Sequence, residues 1–420
     1  MIEKYYSGVI EQIYNRIGKE TRNIVMANYS NDFSIENLEV IRRYQSNEDN
    51  VFFAYSEFSY NTLVGAYEPF LDIICNMHRH FIGGSFDDFQ KECGVYYLHR
   101  QVLNSYYETG ECFREETVLL NEVAYEQRRM TKAIVDMLKR LSEVRPLMIV
   151  INRFQMASKS SIETIKYLID NPCTNIGIVL GVNVQVKGTD STVEVWDRIV
   201  ESLEDRSAIY YIGSAGQQKN HIRDTSDDEL YITTNFEQSI QEASNIMEFL
   251  DYEQARRGCR IIEHKIKFED AWIDEKSLRR FYLIYARTSV LLGEMSKAIE
   301  LTNEYKALIP ESDSEHYFSI YYFMKGTCYM YQGKLEKAEG CAKKAYDYAL
   351  LADDELLEFK SELLSVMIKM SGWYNIFFCV QDIPVSDEFI EKIIKHGYRN
   401  HLAHIYIYAC LLYTSPSPRD

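Results

Sequence analysis

Pro146-Leu-Met-Ile-Val-Ile-Asn-Arg-Phe-Gln-Met-Ala-Ser-Lys-Ser-Ser-Ile162, continuing into Glu163-Thr-Ile-Lys-Tyr-Leu-Ile169, sets the reading of this chain. An unbroken apolar run such as Leu147 to Ile151 suits a strand buried on both faces of a parallel sheet. Serines just ahead of an apolar-periodic stretch mark a helix start, so Ser161 to Ile169 reads as a helix. The same texture recurs at Asn23 to Asn28, Val51 to Ala54, Ile176 to Gly181 and Ala208 to Ile212. Helical patterns lie between these runs, including Ile35 to Tyr44, Tyr67 to Phe81 and Thr117 to Glu143. Strand alternating with helix implies right-handed crossovers and a doubly wound α/β domain. This domain is expected over residues 1–234.

The chain has 420 residues, enough for two or three domains with sizeable cores. It is 46% hydrophobic and 26% charged, ordinary globular values. No stretch approaches about 18 uninterrupted apolar residues, so no membrane span is expected. Lys and Arg total 46 against 63 Asp and Glu, a net charge of -17 that repels polyanions and argues against nucleic acid as a partner. The opening Met1-Ile-Glu-Lys-Tyr-Tyr6 lacks a signal-peptide pattern, so the cytoplasm is the expected compartment. Nine cysteines are scattered without a Cys-x-x-Cys pair and read as small buried hydrophobes.

The stretch from Pro146 resembles the Walker B region of the AAA-like signal-transduction ATPases with numerous domains. There an apolar strand ends in paired acids, followed by Leu-Gln-Trp-Ala-Asp and a Ser-Leu-bearing helix. Phe154, Gln155, Ala157, Ser161 and Ile162 fit that pattern, while Asn152 and Arg153 stand at the two acids. In the family the first acid holds Mg²⁺ through its hydration shell and the second polarises the attacking water. An amide and a guanidinium remove both electrostatic roles.

The phosphate loop should follow the first strand. Laying Gly-x-x-x-x-Gly-Lys-Ser/Thr there puts Ala27 and Asp32 at the glycines and Phe33 at the lysine, leaving Ser34 intact. A phosphate cradle needs backbone freedom and a cation, and this loop adds a carboxylate instead. Gly18-Lys19-Glu20-Thr21 is a decoy, since it precedes the strand and separates Lys from Thr. Val51 to Ala54, then Ala66-Tyr-Glu-Pro-Phe-Leu71, resembles the family's second strand and the segment opening its next helix. The resemblance covers roughly Asn23 to Ile212 and implies a P-loop-NTPase-like fold, an ATP-driven switch and downstream repeats. The departures make the expectation a pseudo-ATPase without cofactor or catalytic residues; a nucleotide binder without hydrolysis is the alternative.

From Asn235 to Ala409 the strand-like runs vanish and only Pro310 and Pro384 interrupt long amphipathic segments. Reading from Arg279, small residues fall at Ala286, Gly293 and Ala298, and Pro310 closes the unit. Reading from Ser319, the matching positions are Gly326, Tyr329, Gly333, Ala338 and Ala345. Small residues let two antiparallel helices approach, the glycine serves the turn, and proline stops the second helix. This resembles the tetratricopeptide repeat in a longer variant of about 40 residues. Weaker copies start at Phe236, with Ala243, Ala255 and Leu250 at the turn, and near Glu358, with Gly372 and Phe377. Ala403 and Ala409 suggest a further unit. Residues 235–409 are therefore expected to be an incomplete all-α solenoid that binds a protein or peptide; a non-repeating helical bundle is the alternative.

His78 and His80 sit on one side of a helix end, and His396, His401 and His404 cluster near Ala409. His401 and His404, at i and i+3, share the spacing of metal ligands on one helix face, but without an acid or cysteine at helpful spacing they read as packing or solvated residues. Gly83-Gly84 and Gly213-Ser-Ala-Gly216 are short turn signals. Of 33 tyrosines, Tyr317, Tyr321, Tyr322, Tyr329, Tyr331, Tyr346 and Tyr348 crowd the repeat half. Half-buried tyrosines fill interhelical gaps while their hydroxyls reach water, and some could line a peptide-binding face.

Cys410-Leu-Leu-Tyr-Thr-Ser-Pro-Ser-Pro-Arg-Asp420 breaks the helical pattern and resembles one translated frame of a transposase-based sequencing adapter, so it is excluded from the fold. The expectation is a cytoplasmic regulatory protein whose effector lies beyond Ala409. Relatives of this layout carry a helix-turn-helix or a GGDEF-type diguanylate cyclase there, which makes an enzyme the alternative.

Overall fold

The computed structural model describes residues 2–29, 38–45, 50–59, 63–114, 116, 118–183, 190–206, 208–212, 235–268, 273–375 and 385–414, with backbone alone at 2, 190–194, 210–212, 268, 372–375 and 408–414. In chain order the first elements are α1 (Ile2–Tyr14), β1 (Ile24–Tyr29), α2 (Glu39–Gln45), β2 (Phe52–Glu57), α3 (Phe70–Met77), α4 (Phe86–Glu92), α5 (Tyr97–Thr109) and α6 (Val123–Val144). There follow β3 (Leu147–Asn152), α7 (Lys159–Asp170), β4 (Ile176–Asn183), α8 (Asp190–Glu204) and β5 (Ile209–Ile212). The rest is helical: α9 (Phe236–Glu248), α10 (Tyr252–Phe268), α11 (Glu275–Leu291), α12 (Met295–Ala307), α13 (Ser314–Tyr331), α14 (Leu335–Leu351), α15 (Glu355–Asn375), α16 (Asp387–Lys395) and α17 (Arg399–Thr414).

The chain forms two compact units. One holds Met1–Phe113 with Glu122–Asp270, and the other holds Arg114–Asn121 with Ala271–Asp420. The last described strand ends at Ile212, residues 213–234 lie outside the described residues, and the first unit runs on to Asp270, beyond the expected boundary at Thr234. α9 and α10 pack with the sheet unit because side chains tie them to it: Gln254 Nε2 donates to Val64 O, and Asp251 accepts from the Ser160 backbone N–H at 3.0 Å.

All five expected strands are present, joined as one parallel sheet in the order β2-β3-β4-β1-β5. Every residue of β3 and β4 is buried, as their unbroken apolar runs require, whereas edge strand β2 is half-buried throughout. Residues alternate between the two faces. Val25, Ala27, Met148, Val150 and Val179 pack with Tyr6, Val9, Ile10 and Ile13 of α1 and Val40 and Ile41 of α2. β1 connects toward β2, against the direction of the later crossovers. Right-handed connection therefore puts α2 on the opposite face from α6, α7 and α8, which pack side by side. α1, whose Tyr6, Val9, Ile10 and Ile13 recur at helical spacing, lies close because β4 has glycines beneath it: a Cβ on Gly177 would sit 3.0 Å from Ile13, and one on Gly181 2.7 Å from the Tyr6 hydroxyl.

Four helix expectations shift. The helix from Tyr67 starts at Phe70, after Tyr67 at φ 58 and Pro69, and widens into a π turn at His78–Ile82. The helix from Thr117 starts at Val123, after a 3-10 turn at Leu120–Glu122. The helix expected from Ile35 starts at Glu39, with the Leu38 carbonyl accepting its first N–H bonds, and residues 30–37 lie outside the described residues. α17 runs past the expected break at Ala409 to Thr414. Cys410 to Tyr413 contain no helix breaker ahead of Pro416.

In the helical unit, α11 with α12 and α13 with α14 form hairpins whose turns repeat one backbone motif. Gly293 at φ 78 and Gly333 at φ 72 are left-handed, and the next residues, Glu294 and Lys334, donate N–H bonds of 2.8 and 2.9 Å back to Ser289 and Tyr329. This is the Schellman arrangement, for which glycine is the favoured residue. The same six-to-one bond closes the turns at Leu250, Asp353 and Gly397. Ala286, Ala298, Gly326, Ala338 and Ala345 are all buried. A Cβ on Gly326 would stand 3.1 Å from Leu364 and 3.2 Å from the Cys341 Cβ, so α13 needs its small residue for close packing. Pro310 lies between α12 and α13, three residues beyond the helix end. The copy from Phe236 forms a hairpin, α9 with α10, with Ala243 and Ala255 buried and Leu250 at φ 70, but it belongs to the sheet unit. Ala403 is exposed, unlike Ala286, Ala298, Ala338 and Ala345, and Phe377 lies outside the described residues.

Candidate functional site

Parallel sheets bind ligands in the crevice beyond the carboxyl ends of strands where the connection direction reverses. Here the chain leaves β1 toward β2 and leaves β4 toward β5, so the reversal falls between the hydrogen-bonded neighbours β1 and β4. Tyr29 pairs with Asn183 at that edge, and Asn152 ends the adjoining strand β3. The positions matched to a nucleotide site thus converge in part. Asn152 and Arg153 sit at the carboxyl edge, and Ala27 lies inside β1, two residues before its end, where its carbonyl accepts the Tyr6 hydroxyl at 3.3 Å. Ala27 is sheet backbone and not the opening of a loop, a correction to its expected place at the first loop glycine. Asp32, Phe33 and Ser34 lie outside the described residues.

Asn152 is fully buried, and its Oδ1 accepts the Tyr29 hydroxyl at 3.1 Å. It fits only because β4 has glycine alongside: a Cβ on Gly181 would lie 2.5 Å from Asn152 Oδ1 and 2.7 Å from the Tyr6 hydroxyl. Arg153, left-handed at φ 55, reaches back to β2 and pairs with Glu57 at 3.1 Å. The Tyr55 hydroxyl also binds Glu57. Gln155 Oε1 accepts the Asn183 backbone N–H at 3.2 Å. Burial pushes the Tyr6 phenol well above its ordinary range, with Tyr29, Tyr55 and Glu57 adding to the shift. Mg²⁺ asks for carboxylate or carbonyl oxygens backed by open coordination positions. The described residues offer an amide held by Tyr29 and a guanidinium held by a carboxylate, and these do not fit a metal–nucleotide complex.

A second arrangement lies on the helical unit. Tyr321, Lys325 and Tyr329 are spaced by four along α13 and share one face. Tyr321 is flanked by Lys306 at 5.4 Å and Lys325 at 5.1 Å from its ring centre, and its hydroxyl accepts from Lys325 Nζ at 2.7 Å. Lys337 lies 5.9 Å from the ring of Tyr329, and Lys344 lies 5.2 Å from that of Tyr322, which stacks on Tyr348. None of these four lysines has a carboxylate partner among the described residues. Lysines over aromatic faces gain cation–π attraction and leave their remaining donors for an incoming anion.

His78 and His396 are packing residues, whereas His80 is exposed, its Nδ1 2.9 Å from the Asn76 carbonyl oxygen. His78 is fully buried among Phe86, Phe89 and Tyr107, with Nδ1 3.2 Å from the Tyr107 hydroxyl, and His396 stacks on Phe359 at 4.5 Å. Among the described residues no group of three metal-ligating side chains forms. His401 does have an acid, which local spacing could not show. Glu116, 285 positions earlier in sequence, accepts both the His401 backbone N–H at 2.9 Å and a bond with Nδ1 at 2.7 Å. Both residues are buried. Tyr6 and Glu57 are likewise missing from the sequence reading of the sheet edge.

These geometries stand without relatives to lean on: no protein-family model matches the chain, and no curated protein matches it. Among the described residues no helix is long and apolar enough to cross a membrane.

Proposed function

We propose that this chain is a cytoplasmic regulatory binding protein. Its sheet unit is a pseudo-ATPase scaffold, and its repeat-like helical unit, of tetratricopeptide character, holds an acidic peptide or protein segment. The observation that carries the reading is the set of four carboxylate-free lysines over Tyr321, Tyr322 and Tyr329. An acidic segment there satisfies the ammonium donors and packs its apolar parts on the half-buried rings of Tyr322 and Tyr329, while the buried Tyr321 holds Lys306 and Lys325 in place. The sheet unit supports the first half of the reading through Asn152 and Arg153, which supply no anionic oxygen where Mg²⁺ chemistry needs it.

Two titrations test it. Calorimetry of the whole chain with ATP and Mg²⁺ should give no binding heat, and micromolar binding would sink the pseudo-ATPase reading. Fluorescence anisotropy with short labelled acidic peptides should detect binding that the Lys306→Glu, Lys337→Glu double variant weakens about tenfold or more, in proportion to the charge pairs lost. Equal binding of a matched basic peptide would reject the lysine–tyrosine face as the partner surface.

A further inference from the structure

The sheet unit holds a partly enclosed cavity of about 280 Å³, near the lower end of the roughly 300–1,000 Å³ of small-molecule sites, with walls from α3, α5, α9, α10 and the segment before α3. Much of its lining is apolar: Leu63, Leu71, Phe249 and Ile261 contribute side chains, and Gly258 of α10 leaves room where a Cβ would stand 2.7 Å from Leu63. Two carboxylates, Glu68 and Glu242, also line it. Asp72 stands one turn along α3 and accepts the hydroxyl of the lining residue Tyr106 at 3.2 Å. Glu68 accepts the Gly65 backbone N–H at 2.8 Å, and Glu242 accepts from Gln238 at 3.0 Å. Neither bond supplies a countercharge. Among the described residues no lysine or arginine pairs with Glu68, Asp72 or Glu242.

We propose that this cavity binds a small organic cation, a primary ammonium or guanidinium group carried on a compact apolar body. A carboxylate drawn out of water without a partner is costly, and a cation that arrives with the ligand removes that cost. Glu68 shows the strain: burial pushes its carboxyl above the ordinary range, the Gly65 N–H opposes this, and Asp72 and Glu242 push it further up. The apolar walls favour a hydrocarbon body over a hydrated inorganic ion, which would keep its water and leave those walls uncovered. The site is independent of the lysine–tyrosine face, which lies on the other unit.

The test is calorimetry and thermal shift on the whole chain at physiological salt with phenethylamine, its neutral analogue phenylethanol, and phenylpropionate. Phenethylamine should bind and raise the melting temperature, phenylethanol should bind at least tenfold more weakly, and phenylpropionate should not bind. Glu68→Gln, which keeps an acceptor for Gly65, should weaken the amine at least tenfold and leave phenylethanol unchanged. Glu242→Gln provides the same measurement should Glu68→Gln fail to fold. Equal binding of amine and alcohol, an amine response insensitive to both substitutions, absence of amine binding, or an equal response to magnesium chloride would each overturn the proposal.

Discussion

At Gly181 the missing side chain decides whether the edge of the sheet can close. An alanine Cβ would press on two fully buried atoms, Asn152 Oδ1 and the Tyr6 hydroxyl, at 2.5 and 2.7 Å. Neither can swing into solvent, so Gly181→Ala should cost about 1–3 kcal/mol, the usual penalty of overpacking. Tyr6→Phe removes one of the clashing atoms. The double variant should therefore be more stable than the sum of the single effects, by roughly 0.5 kcal/mol or more, as expected for touching residues. Urea denaturation of the four proteins measures this coupling, and strict additivity would show that the Tyr6 hydroxyl does not bear on Gly181. Asn152 and Arg153 were legible in the sequence because both lie in one continuous stretch beside a recognisable strand. Tyr6 and Glu57 were not, because only the parallel pairing of β2 with β3 and the laying of α1 over Gly177 and Gly181 bring them there.

At the scale of elements, the helical turns share a backbone but not a residue, and the differences set opposite signs for substitution. Gly293→Ala and Gly333→Ala place a Cβ at positive φ and should each lose about 1 kcal/mol. Asp353 is exposed at φ 53, so Asp353→Gly relieves a left-handed residue without uncovering apolar surface and should gain up to about 1 kcal/mol. Leu250 has the same conformation at φ 70 but is 2% exposed. Losing its burial costs about 2 kcal/mol, which exceeds the relief, so Leu250→Gly should destabilise. Thermal unfolding of the four variants checks the signs, and a stabilised Leu250→Gly would overturn the argument that burial prevails. The two glycine turns were legible because glycine announces positive φ. Leu250 was placed at its turn only by alignment with them. The five strands were legible for a different reason: a run buried on both faces needs no periodicity to be recognised. α1 was passed over because it precedes the first strand, outside the strand-to-strand connections that guided the reading.

At the scale of the molecule, linear order hides that Arg114–Asn121, which runs between two helices of the sheet unit, belongs to the helical unit. Its hold there is specific. Glu116 is fully buried and takes the backbone N–H and imidazole of His401 at the start of α17, and the Leu120 N–H donates to the Tyr331 hydroxyl at 3.2 Å. A contact between positions 285 residues apart leaves no trace in local composition, which is why the sequence read His401 as lacking an acid. Glu116→Ala orphans a buried N–H and a buried imidazole nitrogen, each worth roughly 1–3 kcal/mol when left unsatisfied. The loss falls on the helical unit, because both of the bonds removed lie inside it. Hydrogen exchange of the full chain should therefore show faster amide exchange at the start of α17 and around Tyr398 to Ile405 in Glu116→Ala. The amides of β3 and β4, fully buried in the sheet unit, should keep their wild-type protection. Glu116→Gln keeps an acceptor for the N–H and should recover part of the protection. Uniform loss across β3, β4 and α17 would instead mean that the chain unfolds as one cooperative body, and that the two compact units do not differ in stability.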